Sequence, residues 1–96
     1  MKNIHQLIYK AVSEPNALAM ADWHTCETTH CRAGWVTHLA GEEGKELEEF
    51  FGTALAASKI YRASSEHKVP LWRFFENAED AMADMKRLAE LEGEGI

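Results

Sequence analysis

Residues that interrupt helices divide this chain into short segments. Pro15, Gly41 and Gly52 each follow a stretch whose apolar residues recur with the spacing of one helix face. A proline pushes the residue before it out of the α region. Glycine readily adopts the left-handed conformation that ends many helices. The sequence therefore predicts several short helices and excludes a long coiled coil.

The segments between these breaks predict an all-α fold. The spacing of Ile4, Leu7, Ile8, Ala11 and Val12 predicts a helix over 4–12, with Asn3 as N-cap. Four more helices are predicted at 29–40, 42–51, 54–63 and 78–91. We find no convincing pair of strands. We expect one domain over 1–96, a compact orthogonal bundle of about five short helices whose tail, 92–96, frays.

The same spacing predicts which side chains are buried. His5 lies off the apolar face of the first helix, so we expect it to be exposed. Residues 71–75 are mostly aromatic and should cover the core from outside, and Asn77 with Asp80 resembles a capping box. The apolar faces of the other helices are predicted to carry Cys31, Trp35, Leu39, Leu47, Phe50, Phe51, Ala54, Ala57, Ile60, Tyr61, Ala78, Ala81, Met82, Met85, Leu88 and Ala89.

Charge limits the classes of partner. The chain has 96 residues and a net charge of −6, with −4 in residues 42–52, +3 in 53–75 and −5 in 76–96. An acidic chain without a basic stripe is not expected to bind nucleic acid directly. Its acidic faces could instead meet a basic protein surface. No apolar run approaches the roughly 20 residues of a membrane helix, and no signal peptide is recognisable, so we expect a cytoplasmic protein with reduced thiols.

Residues 23–35 carry most of the unusual chemistry: both cysteines, two of five histidines and two of three tryptophans. Two imidazoles and two thiolates suit a tetrahedral zinc ion, and the candidate ligands are His24, Cys26, His30 and Cys31. However, adjacent residues of a helix diverge by about 100°, so His30 and Cys31 can hardly both bind one ion. His5, His38 or His67 are then the candidates that could complete a set of three ligands.

Two other interpretations of this segment remain open. Cys31 near a helix start, beside His30 and Arg32, has the surroundings that lower a thiol pKa, although no base with an orienting partner is evident. Alternatively the segment is architectural. Cys31 would then be a small buried residue, Trp23 and Trp35 would anchor the core, and Thr28 or Thr29 would cap the helix. Gly34 in mid-helix indicates a close neighbour. We adopt the architectural interpretation.

The run from His24 to Trp35, HTCETTHCRAGW, followed by Leu39-Ala40-Gly41, resembles a signature of short uncharacterised proteins from bacterial and phage genomes. The resemblance covers roughly residues 23–88. It implies a kind of genome, but no activity, cofactor or catalytic residue. The resulting hypothesis is a small acidic module that binds a protein, in the manner of a phage inhibitor of a host nucleic-acid-binding protein. The alternative is a zinc-binding or thiol-dependent protein that uses residues 24–31.

Overall fold

A computed structural model describes residues 1–20, 23–26 and 29–94, with the backbone alone at 25 and 26. Within these residues the fold is all-α, as predicted. Its α-helices are α1 (Ile4–Val12), α2 (Arg32–Leu39), α3 (Gly41–Phe51), α4 (Thr53–Ser64) and α5 (Ala78–Gly93). A short 3-10 helix spans Leu71–Phe75. Two short strands, β1 (His24–Cys26) and β2 (Thr29–His30), lie between α1 and α2.

The helices pack around one core. α1 packs along α5, while α2 lies against α3 and α4. The apolar stripe of α1 supplies Ile4, Ile8 and Val12 to this core, as its periodicity predicts. Val36 on α2 and Met85 on α5 meet them there. None of the described helices has both the length and the apolar character required to cross a bilayer.

The beginning of α1 is capped by a residue distant in sequence. Asn3 adopts a left-handed φ of 58° and its side chain caps nothing. The Glu92 carboxylate instead accepts hydrogen bonds from the backbone N–H groups of His5, at 3.2 Å, and Gln6, at 2.8 Å. These hydrogen bonds hold Glu92 in place. α5 continues past its predicted end at residue 91 and ends at Gly93. Residues 95 and 96 of the tail lie outside the described residues.

The strand pair was not predicted. β1 and β2 are antiparallel, with His24 opposite His30 and Cys26 opposite Thr29. The backbone of His30 also pairs with the preceding loop, donating to the carbonyl of Ala17 at 3.0 Å and accepting from Ala19 at 3.1 Å. These bonds hold Thr29 and His30 extended. The second helix therefore begins at Arg32 instead of 29.

Several burial predictions were wrong for one reason: the docking partners of a helix decide which face is buried. His5 is only 2% exposed because its ring stacks on Tyr61, with centroids 5.3 Å apart. Phe50 is 83% exposed, and Phe51 and Leu39 are also largely exposed. In the 3-10 helix only Phe74 reaches the core, and Leu71, Trp72 and Phe75 face solvent.

Candidate functional site

The described residues of this segment, 23–26 and 29–35, form a tight joint, in which the backbone approaches itself closely at Gly34. A Cβ atom at Gly34 would lie 1.9 Å from the carbonyl oxygen of Trp23. That same oxygen accepts a hydrogen bond from the backbone N–H of Cys31 at 3.2 Å. Gly34, which lies in the first turn of α2 and not in mid-helix, therefore marks the close approach that the sequence indicated, and the neighbour is the backbone at Trp23.

The two tryptophans play different parts. Trp35 is buried, and its Nε1–H donates to the carbonyl of Ala17 at 2.6 Å, which fixes the loop before β1. Trp23 is not the core anchor that we expected, because its side chain is 38% exposed. Its ring meets the exposed ring of Phe75 edge to face, with centroids 5.6 Å apart. Only Trp35 thus serves as an anchor.

His24 and His30 converge. Their Nδ1 atoms lie 2.7 Å apart, and Nε2 of His24 lies 2.7 Å from Oε2 of Glu48 on α3. The ionised carboxylate only accepts, so Nε2–H of His24 donates to Glu48. The two Nδ1 atoms share one proton, and the tautomers of the rings set which of them donates. Burial alone would raise the pKa of Glu48, but hydrogen bonds from Thr53 and His24 hold it below its ordinary value.

A third histidine extends this contact. The His38 ring stacks on the His30 ring with centroids 4.5 Å apart. The Trp35 ring meets the His30 ring edge to face at 4.7 Å. His30 is buried and His38 is exposed, so the cluster reaches from the core to the surface of α2. The other proposed third ligands, His5 and His67, lie together elsewhere, with ring centroids 5.9 Å apart.

Cys31 is the N-cap of α2. Its Sγ accepts a hydrogen bond from the N–H of Gly34 at 3.3 Å, and the residue is 1% exposed. Burial raises the pKa of the Cys31 thiol, and the hydrogen bonds from backbone N–H groups offset this only in part. The position therefore lacks the low pKa and the access that a nucleophilic cysteine needs. The reactive-thiol interpretation of Cys31 is not supported.

The predicted zinc ligands are only partly brought together. His24 and His30 meet, whereas the Cys31 sulfur is directed at the first turn of α2. The Cys26 side chain and Thr28 lie outside the described residues. Among the described side chains, no group of three or more histidine, cysteine, aspartate or glutamate residues is arranged to hold a metal ion. Zinc binding at residues 24–31 therefore stays a prediction.

Arg32 is a buried cation that the sequence did not reveal. Its side chain is fully buried, and Nη1 donates to Oδ2 of Asp84 at 2.7 Å while Nε donates to the Tyr61 hydroxyl at 3.1 Å. Burial alone would raise the pKa of Asp84, but hydrogen bonds from Arg87 and Arg32 lower it. Through its contacts with Tyr61 on α4 and Asp84 on α5, Arg32 links the start of α2 to both helices and holds the joint against them.

Aromatic side chains form two exposed apolar surfaces. In the first, Trp23 and Phe75 are in contact, and Trp72 lies under the guanidinium of Arg73, 4.3 Å from ring centroid to Cζ. In the second, the rings of Phe50 and Phe51 lie 4.9 Å apart at the end of α3. The Lys59 ammonium lies 4.6 Å from the centroid of Phe51.

Comparison with known proteins gave no matching family model, curated protein or solved structure.

Proposed function

We propose that this protein binds a basic protein surface through the outward face of α3. We call this face the α3 surface, and it consists of the exposed residues Glu42, Glu43, Glu46, Glu49, Phe50 and Phe51. The observation that carries the proposal is the exposure of Phe50, 83% of whose surface is open to solvent beside four exposed glutamates. A large aromatic side chain in that position is stabilised by burial against a partner.

The docking of α3 explains why this face points outward. A Cβ atom at Gly44 would lie 2.1 Å from the carbonyl oxygen of Thr37, so α3 approaches α2 closely along the Gly44 side. Glu48, one turn further along, is held by His24 and Thr53, each at 2.7 Å. Residues on the opposite side, such as Glu46 and Phe50, therefore remain in solvent as neighbours one turn apart.

The chemistry of this face indicates the kind of partner that it would suit. Glutamates attract a surface rich in lysine and arginine, and such complementarity steers association. Phe50 requires an apolar pocket within that surface, and aromatic side chains often dominate the binding energy of an interface. Proteins that hold nucleic acid carry basic surfaces of this kind. The partner that we propose is therefore a host nucleic-acid-binding protein, which an acidic phage-type inhibitor would occupy.

The test is comparative capture from host lysate with the purified protein as bait. Wild type is compared with Phe50→Ser, with Glu43→Gln/Glu46→Gln, and with Leu7→Ser, which changes an exposed apolar residue of α1. The proposal expects a nucleic-acid-binding protein to be retained by wild type and Leu7→Ser, lost with the other two variants, and displaced by added nucleic acid. If Phe50→Ser and Glu43→Gln/Glu46→Gln both retain the same protein as wild type does, the proposal is overturned.

As an alternative we propose zinc binding at residues 24–31. It is supported by the convergence of the His24 and His30 side chains and by the bond from His24 to Glu48, because carboxylates commonly orient metal-binding histidines in this way. Elemental analysis of protein purified without chelator tests it. One zinc ion per chain that is lost in His24→Ala supports this alternative, and wild-type protein that contains no zinc contradicts it.

A further inference from the structure

A second binding site lies away from the α3 surface, where α4 ends and the chain turns toward the 3-10 helix. The segment from Ser58 to Leu71 encloses a cleft of about 820 Å³. Clefts of roughly 300–1,000 Å³ are typical of small-molecule sites. The cleft lies within residues 53–75, which carry net charge +3 in a protein of net charge −6.

The floor of the cleft is apolar. Tyr61 lies at its base, with its hydroxyl hydrogen-bonded to Arg32 Nε and its ring stacked on His5 and Phe74, so the accessible apolar surface comes from the residues beside it. Val69 is buried beside it, and Pro70 and the half-exposed Leu71 complete the apolar lining. A floor of this kind accepts a hydrocarbon or aromatic body.

Two cations on the rim have no anionic partner in the described part of the chain. Arg62 on α4 and Lys68 in the loop both line the cleft, and neither takes part in an ion pair with a described residue. The other two basic residues of this region are engaged, since Arg73 pairs with Glu76 and Lys59 lies over Phe51. The lining thus offers two cations against one carboxylate, Glu66.

The cleft is held in shape by the N-terminal part of the chain. The Ser65 hydroxyl is hydrogen-bonded to Nε2 of His5 at 2.9 Å and accepts from the N–H of His67 at 3.1 Å. The Met1 ammonium donates to the Ser64 hydroxyl at 2.7 Å. A loop fixed in this way loses less conformational freedom when a ligand binds.

We propose that this cleft binds a small organic anion, with an aromatic or aliphatic body on the floor and a carboxylate, sulfonate or phosphate between Arg62 and Lys68. Charge-assisted hydrogen bonds from a guanidinium or an ammonium are the strong ones in such recognition. The site is independent of the α3 surface. Binding of the anion therefore leaves the binding face for the protein partner free.

The probe for the test is 8-anilinonaphthalene-1-sulfonate, which combines aromatic rings with one sulfonate, titrated by fluorescence into wild-type protein. The double variant Arg62→Gln/Lys68→Gln is compared with Lys10→Gln/Lys86→Gln, which removes two exposed charges elsewhere. We expect the first to weaken binding at least about tenfold and the second to stay within about twofold of wild type. Leu71→Glu, which adds a carboxylate to the floor, is expected to weaken it as well.

Two further measurements make the result decisive. The proposal expects backbone amide shifts on probe binding to map to residues 58–71, and the same rings without the sulfonate to bind more weakly. Shifts that map to Phe50 or Trp72 overturn it. If Arg62 and Lys68 serve only to neutralise the carbonyls at the end of α4, the double variant will lose stability yet bind the probe as wild type does, which also overturns it.

Discussion

The guanidinium of Arg32 and the carboxylate of Asp84 form a buried ion pair with 2.7 Å between Nη1 and Oδ2. The two residues are 52 positions apart in the chain. Asp84 also receives a hydrogen bond from Arg87, at 2.8 Å, and lies near Arg73. One carboxylate on α5 thus holds the start of α2 and the 3-10 helix.

Removing this carboxylate charge is expected to destabilise the fold strongly. Asp84→Asn removes the nearer carboxylate beside the buried cation of Arg32 and leaves the more distant Glu76, 3.8 Å from Nη1. Breaking a buried pair in this way costs about 3 kcal/mol. Chemical denaturation measures the loss in free energy of unfolding. Glu90→Gln is the matched control, because Glu90 is exposed on the same helix. Equal stability of the two variants would show that the pair is not structural.

His5 is expected to make stability fall below neutral pH. Burial lowers the pKa of His5 from 6.5 to about 4. Between these values the unfolded chain binds a proton that the folded chain does not, so stability is lost as the pH falls from 6.5 toward 4. The loss between pH 7 and pH 5 should be about 2 kcal/mol. Urea denaturation at several pH values measures it.

The matched variant for this pH dependence is His5→Gln, which cannot titrate but retains a side chain able to reach Ser65. Its stability should change less between pH 7 and pH 5 than that of wild type, by about the amount assigned to His5. An unchanged pH slope in His5→Gln would mean that other groups cause the acid sensitivity.

Gly34→Ala is expected to break the joint between β1 and α2. The added Cβ would meet the backbone of Trp23, which cannot yield as a flexible side chain would. We expect a loss of about 2 kcal/mol or more, seen as a lower Tm. Gly93→Ala is the control, since its Cβ meets only the Gln6 side chain at 3.8 Å. Similar Tm values for the two variants would contradict the close approach at Gly34.

Local sequence patterns predicted the helices, whereas contacts between residues distant in sequence determined where α2 begins and which side chains are buried. The bounds of α1 match because its apolar spacing is unbroken up to Val12 and Pro15 follows. The Asn77 cap was predicted and is confirmed, with Oδ1 accepting from the Asp80 N–H at 2.8 Å. The predicted start of α2, at residue 29, was wrong because the backbone of His30 pairs with that of Ala17. No local helix propensity encodes this contact.

The candidate site shows the same division. The convergence of His24 and His30 comes from the pairing of β1 with β2, which the sequence did not predict. The close neighbour of Gly34, in contrast, was anticipated from the cost of a glycine in a helix. The burial of Arg32 was not predictable, because it depends on Asp84 in the last helix. The exposure of Phe50 depends on Gly44 facing Thr37, a contact that the periodicity of α3 does not reveal.

The thiol of Cys31 is expected to be inert in the folded protein. In a Cys26→Ser background, where Cys31 is the remaining cysteine, alkylation by iodoacetamide should be far slower in buffer than in denaturant, because the sulfur is buried and its pKa is raised. Mass spectrometry follows the reaction. Rapid alkylation of the folded protein near neutral pH would restore the thiol-dependent alternative.

The central claim is that the α3 surface binds a basic partner through Phe50, and the most direct test is calorimetric titration of the captured partner at low and high salt. Wild type should bind more weakly at about 500 mM than at about 50 mM NaCl, because the exposed charges are screened. Phe50→Ser should weaken binding at least about tenfold at either salt concentration. An affinity that changes neither with salt nor with the loss of Phe50 would contradict the account.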